Sequence, residues 1–182
     1  GGDNNNKVTI NRVYRAPPCP KAGNAQLHAP LHQGAAVAGA GGAQRRWWLC
    51  PGIEQGIRDL VNIRVSQVNH CAFCVDMHVK EARMHGEREL RLYHLPIWRE
   101  STLFSERERA ALMWAEALTT LTHNGVASED YDLVREELSV QEVSDLTFCV
   151  MAMNGWNRLN AAGCNEPGSM DEALGLTAAK LA

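Results

Sequence analysis

The 182-residue sequence has no apolar run that approaches the roughly 20 residues needed to cross a bilayer, so we predict no membrane span. The sequence also has no large excess of charge of one sign. It contains 18 Lys and Arg residues and 21 Asp and Glu residues, which gives a net charge of −3. This balance excludes the basic surface that nucleic-acid-binding proteins carry. The opening GGDNNN lacks the basic and then apolar pattern of a signal peptide.

Cysteine is too scarce for a disulfide scaffold, because six residues are spread over a chain long enough to build an ordinary core. We therefore expect a reducing, cytoplasmic setting. In that setting Cys71 and Cys74, which form a Cys-x-x-Cys pair, are expected to serve chemistry.

Alternation of apolar and polar residues, the mark of a half-buried strand, is absent as well, which predicts an all-α fold. Residues 105–108 and 139–142 each read as a capping box, so a helix is expected to begin at each. Residues 1–50 show no sustained period, and we expect an irregular N-terminal arm there. Residues 51–182 are expected to form the helical domain.

A polar stripe of Asp59, Asn62 and Ser66 lies opposite an apolar stripe on the first clear helix. A solvated face is its simplest interpretation. Asn69 is predicted to cap the next helix, which is expected to run to about His85. We expect His85 itself to be a surface residue.

The stretch from Cys71 to His78 groups two thiols and an imidazole on one helix face. At about 100° per residue, Cys71, Cys74 and His78 fall within an arc of roughly 60°. Cys71 and Cys74 are spaced i,i+3, which suits a disulfide, and Cys74 and His78 are spaced i,i+4. Two plainer interpretations remain open: buried inert cysteines, and a zinc site, for which no second pair completes four ligands.

Four blocks carry a resemblance to a known family. They are residues 64–69 (RVSQVN), 71–78 (CAFCVDMH), 104–112 (FSERERAAL) and 154–160 (NGWNRLN). In order and spacing they resemble the carboxymuconolactone decarboxylase superfamily, in its alkylhydroperoxidase (AhpD)-like branch. The likeness spans roughly residues 53–162 and leaves residues 1–50 outside.

The resemblance implies an all-helical homo-oligomer, commonly a trimer or hexamer, and a peroxidase whose Cys-x-x-Cys pair cycles between dithiol and disulfide. It also implies a catalytic role for Asp59, which stands twelve positions before the first cysteine, where relatives more often carry Glu. Asp59 would then orient His78. No cofactor or metal is implied.

The chemistry expected of these residues is reduction of a hydroperoxide. A thiolate is the reactive form of cysteine, and a neighbouring His and a helix N-terminus both favour it. We assign Cys74 as the peroxidatic thiol, His78 as its base and Cys71 as the thiol that closes the disulfide, which an external dithiol then reduces. The alternative is a redox-sensing or interaction protein that uses the same dithiol without turnover. Decarboxylase chemistry is disfavoured because it gives a Cys-x-x-Cys pair no role.

Overall fold

A computed structural model describes residues 52–181, which are mostly helical and contain no strand. The α-helices are α1 (Gln55–Val68), α2 (Ala72–Met84), α3 (Glu89–His94), α4 (Glu106–Thr119), α5 (Ser128–Glu137), α6 (Val140–Gly163) and α7 (Asp171–Leu174). Short 3-10 helices follow α3 (Leu95–Ile97) and α7 (Leu176–Ala179). The predicted all-α class is confirmed for this part of the chain. The arm predicted at residues 1–50 lies outside the described residues.

Helix α1 lies at the centre of the domain, in contact with α2, α4 and α6. It buries apolar residues on two sides, because Val61 and Val65 pack with α4, α5 and α6, whereas Leu60 and Ile63 pack with α2, α3 and the residues that follow α3. Helix α1 is therefore covered by other helices on two sides. Apolar surface removed from water stabilises a fold by about 25 cal/mol per Å², so burial of both sides of α1 stabilises the domain.

The two predicted capping boxes are both present. Ser105 accepts the N–H of Glu108 at 3.3 Å, and the Glu108 carboxylate accepts the N–H of Ser105 at 2.8 Å. Ser139 and Glu142 make the same reciprocal pair at the start of α6, at 3.2 and 2.7 Å. Each box satisfies two N–H groups that the first turn of a helix leaves unpaired.

Arg107, in the first turn of α4, joins three helix ends. Its guanidinium donates to Glu54 before α1 at 2.9 Å, to the Glu137 carbonyl at the end of α5 at 2.7 Å, and to Glu142 at the start of α6 at 2.5 Å. The Arg107 hydrogen bond, together with bonds from Ser139, lowers the pKa of Glu142 to about 2. The carboxylate of Glu142 therefore stabilises the fold in its charged form.

Two of the three residues of the polar stripe of α1 are buried and Asn62 is half-buried, so the expectation of a solvated face is wrong. Asp59 is 4% exposed and Ser66 is fully buried, because α2 and α6 cover this side of α1. Periodicity identifies a polar face but does not reveal which element covers it. Buried polar groups of this kind require partners, and the partners come from α6 and from the end of α2.

A network of side-chain amides, centred on the buried Asn157, holds the turn between α1 and α2. The side-chain N–H₂ of Asn69 donates to Asn154 and to Asn157 on α6, at 2.9 Å each. Asn157 donates in turn to the Ser66 hydroxyl at 3.1 Å, and Ser66 donates to the Asn62 carbonyl at 2.7 Å. The network therefore fixes α1, α6 and the turn that precedes α2 relative to one another.

Between residues 52 and 181 we find no helix that combines the length and the apolar character of a membrane-crossing segment.

We predict that Asn157→Ala lowers the free energy of unfolding by about 1–3 kcal/mol, because it leaves the buried hydroxyl of Ser66 and the half-buried amide of Asn69 with fewer partners. Urea denaturation measures the change. Gln141→Ala is the matched control, since it removes an exposed amide of the same helix that bonds Asp145 at the surface. Equal effects of the two substitutions would contradict a structural role for the network.

A second prediction concerns acid stability. A carboxylate whose folded-state pKa is depressed stabilises the fold above its ordinary pKa of 4.5, and this contribution is lost as the pH falls towards about 2. Glu142→Gln removes this contribution, so the variant should be less stable than the wild type at neutral pH and lose less stability between those two pH values. Urea midpoints over that pH range test this, with the exposed Glu136→Gln as the control. Parallel wild-type and Glu142→Gln curves would contradict the prediction.

Candidate active site

A disulfide joins Cys71 and Cys74, with a Cα–Cα distance of 5.4 Å. The spacing of the pair suited such a bond, and the structure contains it. Cys71 precedes the first helical residue of α2, and its Sγ accepts the N–H of Cys74 at 3.4 Å. One sulfur of the pair therefore lies at the positive end of a helix, where a thiolate is favoured.

Cys71, and not Asn69, is the N-cap of α2. Asn69 still belongs to the last turn of α1, where its N–H donates to the Val65 carbonyl at 3.0 Å, and its side chain is committed to the amide network. His70 then takes a left-handed conformation with φ of 55°, which turns the chain sharply into α2. The N–H of Cys71 donates back to the Ser66 carbonyl at 3.0 Å and closes the turn.

His78 lies one helical turn after Cys74 and is 8% exposed. Its Nδ1 pairs with the Glu81 carboxylate at 2.6 Å, whereas its Nε2 is buried and has no hydrogen-bond partner among the described residues. Glu81 is 37% exposed, so the pair reaches from the buried end of the imidazole to solvent. An imidazole that bonds a carboxylate through one nitrogen leaves the other free to exchange a proton.

The structure does not bring Asp59 to His78. One carboxylate oxygen of Asp59 accepts from Gln55 at 2.7 Å, and the other pairs with Nδ1 of His85 at 2.8 Å. His85 is 45% exposed, as a surface residue would be, but its ring is anchored to a buried carboxylate. The family resemblance implied that Asp59 orients His78. In the structure the carboxylate that bonds the His78 ring is that of Glu81, on the same helix.

The Asp59–His85 pair lines an open pocket of about 390 Å³ that is separate from the two sulfurs. Its charged lining comprises Asp59, His85, Glu87, Arg88, Arg91 and Glu108. His85 follows Cys74 by eleven helical positions, so the pocket opens about 16 Å further along α2. Asp59 and the thiol chemistry are therefore placed at opposite ends of the helix.

The disulfide has an apolar environment. Cys74 is fully buried and Cys71 is 4% exposed, and they form a small cluster with Phe73, against which Met77 and Met170 pack. Within residues 52–181, no group of three or more His, Cys, Asp or Glu side chains is arranged to hold a metal ion.

Sequence reasoning missed two contributors to this site. Glu81 stands three positions after His78 on the same helix, and that i,i+3 spacing was a usable signal. Met170 lies nearly a hundred positions after Cys71 and beyond the resembling blocks, and no local pattern links it to the thiols.

Comparisons with known proteins agree with this architecture. The family model described as the carboxymuconolactone decarboxylase family matches residues 34–117, a match that begins within the segment set apart as an arm. The uncharacterized protein YdfG of Bacillus subtilis (strain 168) is 41% identical over 117 residues, which cover 64% of this chain and 80% of YdfG. The uncharacterized protein YnjA of Escherichia coli (strain K12) is 34% identical over 111 residues, and this chain spans 60% of its length.

Two solved structures share the fold. ATU0492 from Agrobacterium tumefaciens, a protein of unknown function named provisionally as an antioxidant defence protein AhpD, has a TM-score of 0.60 and 30% identity, and the match covers 77% of this chain and 89% of that one. The debrominase Bmp8, in its apo form, has a TM-score of 0.59 over 70% of this chain and 67% of its own, and at 20% identity it indicates the fold alone. With YdfG matched over four-fifths of its length, this chain belongs to the carboxymuconolactone decarboxylase family, within its AhpD-like superfamily.

Proposed function

We propose that the protein is a thiol-dependent hydroperoxide reductase that cycles Cys71 and Cys74 between dithiol and disulfide. One observation carries the proposal: the disulfide lies one helical turn before a buried imidazole whose Nε2 has no hydrogen-bond partner among residues 52–181 of the oxidised protein. A thiol at Cys74 would give that nitrogen a donor in the reduced protein. The provisional naming of the A. tumefaciens relative as an antioxidant defence protein agrees with this direction.

The first step is oxidation of Cys74. His78 takes the thiol proton at Nε2, and the thiolate attacks one oxygen of the hydroperoxide. The O–O bond breaks, Cys74 becomes a sulfenic acid, and the second oxygen leaves as an alkoxide that recovers the proton from His78. The product is one molecule of alcohol, and the sulfur has lost two electrons.

The second step closes the disulfide. The Cys71 thiol loses its proton, and the thiolate, favoured by the N–H of Cys74 at the start of α2, attacks the Cys74 sulfenic sulfur. The S–O bond breaks, and the hydroxide that leaves takes up the proton from Cys71 and is released as water. An external dithiol then exchanges with the disulfide and leaves as a disulfide itself, which restores both thiols. One hydroperoxide and one dithiol are consumed in each cycle.

Glu81 takes the supporting role in this mechanism. Its carboxylate holds Nδ1 of His78 and stabilises the imidazolium that forms when the thiol proton moves. Because Glu81 is part of α2, this pair does not depend on the register of another helix. Asp59, which is bonded to Gln55 and His85, has no part in the proton transfer that we propose.

The second candidate is a redox-sensing or interaction protein that uses the same disulfide. The burial of both sulfurs favours it, since a buried disulfide exchanges slowly. Turnover with excess dithiol separates the two functions.

We further propose that the protein is cytoplasmic and forms a homo-oligomer, a trimer or hexamer, as the family resemblance implies.

We predict that Cys74→Ser abolishes hydroperoxide consumption with excess dithiol, because no thiolate remains beside His78. Cys71→Ser should also stop turnover, but only after one equivalent of peroxide has produced a sulfenic acid on Cys74. Mass spectrometry after trapping with a carbon nucleophile locates that acid. Equal consumption by the wild type and Cys74→Ser would reject the enzyme. A sulfenic acid trapped on Cys71 of the Cys74→Ser variant would reverse the order of the thiols.

A matched pair of substitutions tests the supporting carboxylate. Glu81→Gln keeps the size of the side chain but cannot balance an imidazolium, so the rate of peroxide reduction should fall about ten-fold. Asp59→Asn makes the same chemical change and should leave that rate near the wild-type value. Stopped-flow measurement of the peroxide step over a pH range compares them. If peroxide reduction were slow in Asp59→Asn and proceeded at the wild-type rate in Glu81→Gln, the supporting role would belong to Asp59.

A further inference from the structure

The segment after α6 folds back over the start of α2. We call residues 166–179 the strap; they comprise a turn, α7 and the final 3-10 helix. The 3-10 helix contacts α2, and its Leu176 is only 4% exposed. The strap is therefore packed on the helix that carries both cysteines and His78.

Met170 of the strap lies against the disulfide. It packs on the cluster formed by Cys71, Phe73 and Cys74, in which the Cys74 side chain is fully buried. Thiol–disulfide exchange requires an attacking thiolate to reach a sulfur, and a peroxide must reach the same atom in the reduced protein. While Met170 is in place, part of that approach is occupied.

One buried charge holds the strap to α2. The ammonium of Lys80 is 7% exposed and donates to Asp76 on α2 and to Asp171 on the strap, at 2.7 Å each. The same Asp76 carboxylate accepts the N–H of Gly168 at 2.9 Å. Burial opposes the charge on Lys80, but the hydrogen bonds from its ammonium to Asp171 and Asp76 outweigh this and raise its pKa.

The strap is attached to α2 by few contacts. Between the described residues of the strap and α2 we find the Lys80–Asp171 ion pair, the hydrogen bond from Gly168 to Asp76, and packing by Met170 and the final 3-10 helix. Segments with few buried contacts open more readily than the core to which they are attached. Loss of the Lys80–Asp171 pair should therefore release the strap while the helices around α1 stay folded.

We propose that the strap is a gate over the Cys71–Cys74 disulfide, latched by the Lys80–Asp171 ion pair, and that opening of the gate controls access of dithiol and peroxide to the sulfurs. This inference deepens the proposed function and rests on it, since it concerns the regulation of the same disulfide. It assigns Met170 and Lys80 a role in access and none in the proton transfer.

The test is the rate at which a phosphine, tris(2-carboxyethyl)phosphine, reduces the Cys71–Cys74 bond in the full chain without peroxide. Alkylation of the freed thiols, followed by mass spectrometry of the peptide that contains them, measures this rate. Asp171→Asn should increase it about ten-fold, because a charged hydrogen bond of the latch is lost. Glu172→Gln makes the same charge change at an exposed position of α7 and should leave the rate unchanged.

Met170→Ala is the second variant, because it uncovers the sulfurs without altering the latch. It should also accelerate reduction, and circular dichroism establishes that each variant remains folded. Reduction of the wild type, Asp171→Asn and Met170→Ala at one rate would overturn the gate. This outcome would leave the proposed peroxidase untouched. The peroxidase is tested separately, by the consumption of peroxide by Cys74→Ser in an assay without phosphine.

Discussion

The amide network at the end of α1 is the constraint on which the rest of the site depends. Asn69 is held by two asparagines of α6, so the chain must leave α1 at one fixed position. The left-handed His70 follows, and Cys71 then caps α2 with its own sulfur. Since buried amides are costly to leave unpaired, the turn cannot slide by one residue without losing several bonds at once. The positions of both sulfurs and of His78 follow from this turn.

Three hydrogen-bonded pairs, each of a carboxylate and a basic side chain, lie along α2 and have separate tasks. Asp76 pairs with Lys80 beside the strap, Glu81 pairs with His78 beside the sulfurs, and Asp59 pairs with His85 at the pocket. Each of these carboxylates is hydrogen-bonded to the basic side chain that lies nearest to it. This pairing explains why a single helix can hold a proton-transfer pair, a structural anchor and a separate charged pocket without mixing them.

Burial of the sulfurs and reactivity make opposing demands on the same residues. An apolar cover of Met77, Met170 and Phe73 keeps water from the disulfide, but exchange requires that a partner reach it. Of these three residues only Met170 lies on a peripheral segment, whereas Phe73, Met77 and the reacting groups belong to α2 and its N-cap, and α2 packs directly on the central helix α1. Access can therefore change while the spacing of Cys74 and His78 does not.

The sequence by itself determined the features that depend on neighbours a few residues apart. The all-α class, the capping boxes at Ser105 and Ser139, and the Cys71–Cys74 spacing are of this kind, because helical geometry places such residues together wherever the helix lies. Only the tertiary structure decided that Asp59 and Ser66 of α1 are buried, that Asp59 meets His85, and that Met170, from the far end of the chain, packs against the cluster of the two cysteines. These contacts depend on which helices pack together and in what register, and a periodic pattern shows a face without showing what lies against it.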